Sequence, residues 1–199
     1  MEYTIDNFPK NWDEVPLKYG RRLFTIQTSG MTDHQYLEEV IKCFDINIEK
    51  FKIEELNNLK LKVLNLVSSK PNETMETEFI INGTRYHLIK DLKHLTFGEF
   101  LDLELLLSQE HTNIWDIIHN ILGVMLREQE RIGSRYFGKV KFEPKPYNSE
   151  KVMDNSALFD DVLSVNDVYG FSTFFLLQGI IYSHNLVSSL GQEGKNSLN

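Results

Sequence analysis

The side chains with the most evident chemistry lie in a basic and aromatic stretch, residues 131–149. This stretch contains five basic residues and one acidic residue, which gives a net charge of +4, and four aromatic residues are interleaved with them. Cations alternating with rings can contact phosphates and stack on bases, or can dock on an acidic protein surface. The side chains that we predict as partner contacts are Arg131, Arg135, Tyr136, Lys139, Lys141 and Lys145.

The charge of the whole chain bears on which partner this stretch takes. The 199 residues have a formal net charge of −8, so the remainder of the chain carries −12. Such an acidic chain is poorly suited to being wrapped in nucleic acid, and it offers acidic patches to a basic stretch on another copy. We therefore favour a protein partner over nucleic acid, and a solvated loop with no partner explains the stretch at least as well as either.

The histidines give no recognisable metal-binding pattern. His-Glu-x-x-His is absent, and no two histidines lie four residues apart on a predicted helix. His111 and His119 flank Asp116, but they could share a helix face only if the helix began before His111, and Asn113 is a better cap. Since Cys43 is the only cysteine, a cysteine-based zinc site and an internal disulfide are excluded. We expect no metal and no cofactor.

Catalytic residues are equally hard to assign. Glu99 and Asp102 are three apart on a predicted helix and could form an acid–base pair, but an exposed helix face explains them as well. Ser29, Ser134 and Cys43 lack a Gly-x-Ser-x-Gly or similar motif, and the glycines at residues 133 and 138 lack the Gly-Lys-Ser/Thr ending of a phosphate loop. The sequence therefore predicts a protein that is not an enzyme.

The elements that must position these residues form a mainly helical α+β chain. We predict an N-terminal arm at residues 1–15, one domain over residues 16–190 and a polar tail at residues 191–199. The predicted elements of that domain are helices over about 17–67, a β-hairpin over 78–89, helices over 97–128, the extended basic segment 131–149 with a short strand near 136–142, and helices over 156–190. The fold class is thus a helical bundle with one β-hairpin and extended N- and C-terminal arms.

Two local signals are the clearest. Asn82-Gly83 lies between two apolar runs, and this dipeptide favours the positive φ angles of a tight hairpin turn. Thr96 and Glu99 have the spacing of a capping box, which predicts a helix beginning near Phe97.

An uncharged C-terminal segment raises the question of a membrane. Residues 168–192 contain no Asp, Glu, Lys or Arg over 25 positions. Polar residues interrupt the segment, no basic cluster flanks it, and its apolar positions follow helical spacing. We expect a buried or interface helix and no membrane contact. The N-terminus lacks the basic start and apolar run of a secretory signal.

Three motifs follow one another along the chain: Trp12-Asp13-Glu14-Val15-Pro16-Leu17, the Asn-Gly hairpin between Phe79 and Ile89, and the capped helix from Leu95 to Leu103. Their order resembles small structural or assembly proteins of tailed bacteriophages, in particular crAss-like and other phages of Bacteroidetes. The resemblance covers roughly residues 12–126. These motifs include no catalytic signature, so the resemblance assigns no functional residue to this chain.

The resemblance implies a non-enzymatic virion protein of the portal vertex, neck ring or tail. Such a protein works through protein–protein contacts in a multi-copy assembly, with other copies of itself and with portal, capsid or tail proteins as partners. It would be found in the virion, and in the host cytoplasm during assembly. The alternative is a tail-assembly chaperone that is absent from the mature virion.

Overall fold

The computed structural model describes residues 3–109, 113–132 and 141–175. Most of the described chain is helical and packs against one antiparallel sheet, so the predicted mainly helical α+β class is confirmed. The helices are α1 Leu17–Phe24, α2 Asp33–Cys43, α3 Ile53–Ser68, α4 Phe97–Ser108, α5 Ile118–Met125 and α6 Val152–Val162, and residues 165–175 are also helical. The strands are β1 Glu78–Ile81, β2 Thr84–Leu88, β3 Leu126–Ile132 and β4 Lys141–Pro144.

The sheet is an antiparallel meander in the order β1-β2-β3-β4. Its first turn is Asn82-Gly83, where φ is +50° and +80°, values that suit this dipeptide and strain most other residues. The prediction contained a hairpin of two strands, whereas the sheet has four. The two further strands lie on either side of residues 133–140, which fall outside the described residues.

Strand β3 corrects the prediction of helices over residues 97–128. Helix α5 ends at Met125, and Leu126 begins β3 with no loop between them. The residues from Leu126 to Arg131 are good helix formers, so local propensity favoured the wrong element. Pairing with β2, in which Leu126 faces Leu88 and Arg127 faces His87, overrides that propensity.

The last described elements also differ from their predicted bounds. Strand β4 lies at Lys141–Pro144, at the C-terminal edge of the short strand predicted near 136–142. Helix α6 begins at Val152, a few residues before the predicted start at 156. Residues 176–199, which include the end of the predicted helices and the polar tail, lie outside the described residues.

Two clusters of buried apolar side chains form the interior. The first lies between the inner face of the sheet, α5, α6 and the 165–175 helix, and the second lies among α1, α2 and α3. Phe24 joins them, because its ring stacks on Trp12 of the second cluster at 5.6 Å between centroids and on Trp115 of the first at 4.3 Å. The two clusters therefore meet at a continuous aromatic stack.

The N-terminal segment packs on the second cluster and does not extend away from it. Tyr3, Phe8 and Trp12 are each at least 95% buried, and the Trp12 indole N–H donates to the Ser69 carbonyl at 3.0 Å. The segment predicted as an N-terminal arm is thus anchored on the cluster over residues 3–15, because burying three aromatic rings is more favourable than leaving them in water.

Candidate functional site

Helix α4 begins with the predicted capping box. The Thr96 backbone N–H and hydroxyl donate to Glu99 Oε2 at 2.6 and 2.7 Å, and the Glu99 N–H donates back to Thr96 Oγ1 at 3.4 Å. This reciprocal pairing satisfies backbone donors that a helix N-terminus otherwise leaves open. The direction and starting point of α4 are therefore fixed by two side chains.

An ion pair then fastens the start of α4 to the sheet. Glu99 is fully buried, and its Oε1 accepts from the guanidinium of Arg127 on β3, whose side chain is only 11% exposed. The same guanidinium donates to the Lys145 carbonyl at 2.8 Å and lies 5.0 Å from the ring centroid of Tyr147. Arg127 thus connects α4, β3 and the segment that follows β4.

The other predicted carboxylate, Asp102, is also engaged in structure. Tyr147 donates its hydroxyl hydrogen to Asp102 Oδ2. Burial and this hydrogen bond raise the pKa of the Tyr147 phenol, so it stays a neutral donor at physiological pH. Glu99 and Asp102 both anchor α4, and neither is free to serve as an acid–base pair.

The outward side of α4 is unusually apolar. Successive residues of a helix turn by about 100°, which places the exposed side chains of α4 over about half of its circumference. Five large apolar side chains lie on that side with Glu104, and this set is hereafter called the α4 face. Its apolar members are Phe97, Phe100, Leu101, Leu105 and Leu107, exposed by 75, 38, 44, 62 and 49%.

A second uncovered surface lies on the outer side of the sheet. Ile80 of β1 is 72% exposed beside its cross-strand partner Arg85, and Phe142 of β4 is 38% exposed beside its partner Arg131. The Arg85 guanidinium lies 4.4 Å from the Phe142 ring centroid, which places both pairs on the same side. These four residues, Ile80, Arg85, Arg131 and Phe142, are hereafter called the open sheet face.

A groove of about 750 Å³ separates the segment before α4 from the segment after β4. Three cations line it, Lys90, Arg127 and Lys145, together with prolines and the Tyr147 ring. Arg127 is paired with Glu99, and Lys145 with Glu128, so most of the positive charge is already balanced. The groove therefore offers little free charge to an anion.

The predicted contact residues fall into two groups. Arg131 is exposed on β3 and has no ion-pair partner within the described parts of the chain, whereas Lys141 pairs with Glu143 and Lys145 with Glu128. The hydrogen bond to Glu128 raises the pKa of Lys145. Arg135, Tyr136 and Lys139 lie outside the described residues. Of the described basic contacts, Arg131 is thus the one whose charge is free.

No described cluster of three or more His, Cys, Asp or Glu side chains is arranged to hold a metal ion. Burial raises the pKa of the Cys43 thiol to about 11, which leaves it protonated and a poor nucleophile at neutral pH.

Of the helices in the described ranges, none has the length and apolar character needed to cross a bilayer.

His119 lies half-buried beside an ion pair between α1 and α6. Arg21 holds Asp160 Oδ2 at 2.9 Å and also donates to the Trp115 and Asp116 carbonyls at 2.9 and 2.8 Å. Burial and the nearby Arg21 lower the pKa of His119 to about 4, although Asp160 acts in the opposite direction. The ring is therefore neutral at physiological pH.

This pKa predicts how stability depends on pH. In the unfolded chain a histidine has a pKa of about 6.5, so the unfolded state binds a proton before the folded state does. The free energy of unfolding should be highest above about pH 6.5 and should fall as the pH decreases towards about 4. Urea unfolding at a series of pH values measures this, and His119→Gln should flatten the curve between those limits. An unchanged curve would contradict the assignment.

Comparison with protein-family models, with curated proteins and with solved structures finds no match to this chain. The α4 face and the open sheet face were not singled out from the sequence. The signal for the first was available, since every turn of α4 contains leucine or phenylalanine and no lysine or arginine lies on it.

Proposed function

We propose that this chain is a non-enzymatic structural component of a multi-copy assembly. The α4 face is the observation that carries the proposal. Its five apolar side chains expose an area on the order of 500 Å², at the upper end of what a monomer leaves in water. Patches of this kind are typical of surfaces that another protein covers.

Within that proposal, the assembly is the virion of a tailed phage. The chain would lie at the portal vertex, neck ring or tail, in contact with other copies of itself and with portal, capsid or tail proteins. The resemblance of residues 12–126 to phage structural proteins supports this location. The engagement of Glu99 and Asp102 in anchoring α4 supports a role in contacts and not in catalysis.

A tail-assembly chaperone is the second candidate, and the same α4 face supports it. A chaperone that holds an apolar segment of a tail protein also needs an exposed apolar surface. Mass spectrometry of purified particles from the phage that encodes the chain separates the two. A fixed ratio of several copies per portal ring supports the structural component. Presence in infected cells together with absence from the particles supports the chaperone and contradicts the virion assignment.

A double variant of the α4 face tests its role directly. Leu101→Asp with Leu105→Asp should reduce incorporation into particles at least about tenfold, because it places two charges in the centre of the contact. Thermal stability should fall only modestly, since Leu101 and Leu105 are 44 and 62% exposed and neither lies in the core. Incorporation is measured by complementing a phage that lacks the wild-type chain.

The matched control lies on α3. Ile53 and Leu61 are 79 and 62% exposed, so Ile53→Asp with Leu61→Asp adds the same charge to an exposed helix elsewhere. This control should be incorporated normally. Equal loss in both double variants would indicate a general effect of added charge and would remove the support that α4 gives to the proposal.

A further inference from the structure

We propose that the α4 face of one copy of this chain docks on the open sheet face of a second copy. The inference rests on the proposed function and specifies the partner of α4 within it. Both surfaces are exposed in the same molecule, both carry large apolar side chains, and their charged residues are of opposite sign.

The apolar residues of the two surfaces span similar distances. A helix packed on a sheet is one of the standard two-layer arrangements of protein cores, and the open sheet face lacks that second layer at Ile80 and Phe142. Strands β1 and β4 are three strand spacings apart, which is a distance of about 14 Å. Phe97 and Leu105 are separated by about 12 Å along α4. One helix can therefore cover apolar residues on both edge strands.

The charged parts are of opposite sign. Glu104 is the exposed charge within the α4 face, and neither it nor Arg131 has an ion-pair partner among the residues that the structure describes. Arg85 adds positive charge to the sheet, although it lies at 4.0 Å from Glu78. Docking α4 on this sheet brings Glu104 to arginine, so the contact pairs two charges, Glu104 and Arg131, that have no ion-pair partner among the described residues.

The same charges disfavour contacts between identical surfaces. Two α4 faces would bury both Glu104 carboxylates among leucines, and α4 contains no lysine or arginine to pair with them. Two open sheet faces would bring arginines against arginines. Helix on sheet is thus the pairing that covers the apolar residues without opposing like charges.

A contact between different surfaces has a definite consequence for assembly. An open oligomer keeps a free α4 face on one terminal copy and a free sheet face on the other terminal copy, so further copies add until a ring closes or a filament grows. A symmetric dimer, by contrast, would bury both surfaces of both copies in one association step and would leave none for a third copy. The inferred contact predicts oligomers larger than dimers.

Charge exchange between the two surfaces provides the test. Sedimentation equilibrium over a concentration series measures the association constant of the full chain and its variants. Glu104→Arg and Arg131→Glu should each weaken association at least about tenfold, because each opposes like charges in the contact. The double variant Glu104→Arg/Arg131→Glu should recover the wild-type constant to within about threefold, since every contact then has the reversed pair.

Two control variants carry the same changes of charge elsewhere. Glu54→Arg on α3 and Lys70→Glu after α3 alter exposed residues outside both surfaces and should leave the association constant unchanged. Thermal melts of all six proteins show whether each is folded before it is compared.

The possible results divide cleanly. Loss in both single variants with recovery in the double variant supports the helix-on-sheet contact. Loss in Glu104→Arg alone would show a contact that does not use the sheet, and a chain that stays monomeric at every concentration would show no self-association. Either of these overturns the inference. Neither overturns the proposed function, which particle composition decides.

Discussion

Replacing Arg127 with methionine should lower the free energy of unfolding by about 3–5 kcal/mol. The Glu99 carboxylate is fully buried, and Arg127 supplies the opposite charge beside it. Methionine keeps much of the aliphatic stem but leaves that carboxylate as an unpaired charge inside the protein. Urea unfolding at neutral pH measures the loss.

Two further variants identify the cause of that loss. Glu99→Gln in the Arg127→Met background should restore much of the stability, because a neutral amide oxygen can still accept from the Thr96 backbone N–H. Arg85→Met removes a cation whose ion pair with Glu78 is partly exposed and 4.0 Å long, so its cost should stay below about 1 kcal/mol. A large loss in Arg85→Met, or no recovery in the double variant, would contradict the importance of the buried pair.

Replacing Trp115 with alanine should also cost about 3–5 kcal/mol, because the indole is 94% buried and its removal leaves a large cavity. The position adds a second effect. Trp115 stacks on Phe24, which joins the two apolar clusters, so the variant should weaken their coupling as well as the core. Denaturant unfolding followed by circular dichroism at different wavelengths should then show transitions that no longer coincide.

Trp115→Phe is the matched variant, because a smaller ring preserves the stack on Phe24. It should cost less than alanine and should keep a single cooperative transition. If alanine and phenylalanine cost the same, the ring that phenylalanine keeps on Phe24 contributes no stability. If the alanine variant still unfolds in one transition, the clusters are coupled mainly by other contacts, such as those of α1, which contributes Leu17 to the first cluster and Leu23 to the second.

The parts of the fold that could be predicted are those with a local cause. Thr96 and Glu99 satisfy each other within four residues, and α4 begins where their spacing indicates. Asn82-Gly83 adopts its turn through its own backbone preference. Strand β3 has no such local cause, since its residues prefer a helix and become a strand through pairing with β2, about 40 residues earlier in the chain, and with β4.

The candidate surfaces were harder to predict for a related reason. The basic stretch 131–149 could be recognised from composition, but composition does not show that Lys141 and Lys145 pair with Glu143 and Glu128. The sequence predicted α4 as a helix, and spacing alone does not say which side of it remains uncovered. Exposure is a property of the packed chain, whereas spacing defines only the faces that packing can use.

The direct passage from α5 into β3 has a mechanical consequence. With no loop between Met125 and Leu126, a displacement of α5 cannot be absorbed before it reaches the strand. One residue inserted at this point would turn each side chain of β3 to the opposite side of the sheet, Arg131 included. Substitutions on α5 that contact no partner can therefore alter the alignment of the open sheet face, because a shift of the helix moves the strand that continues from it.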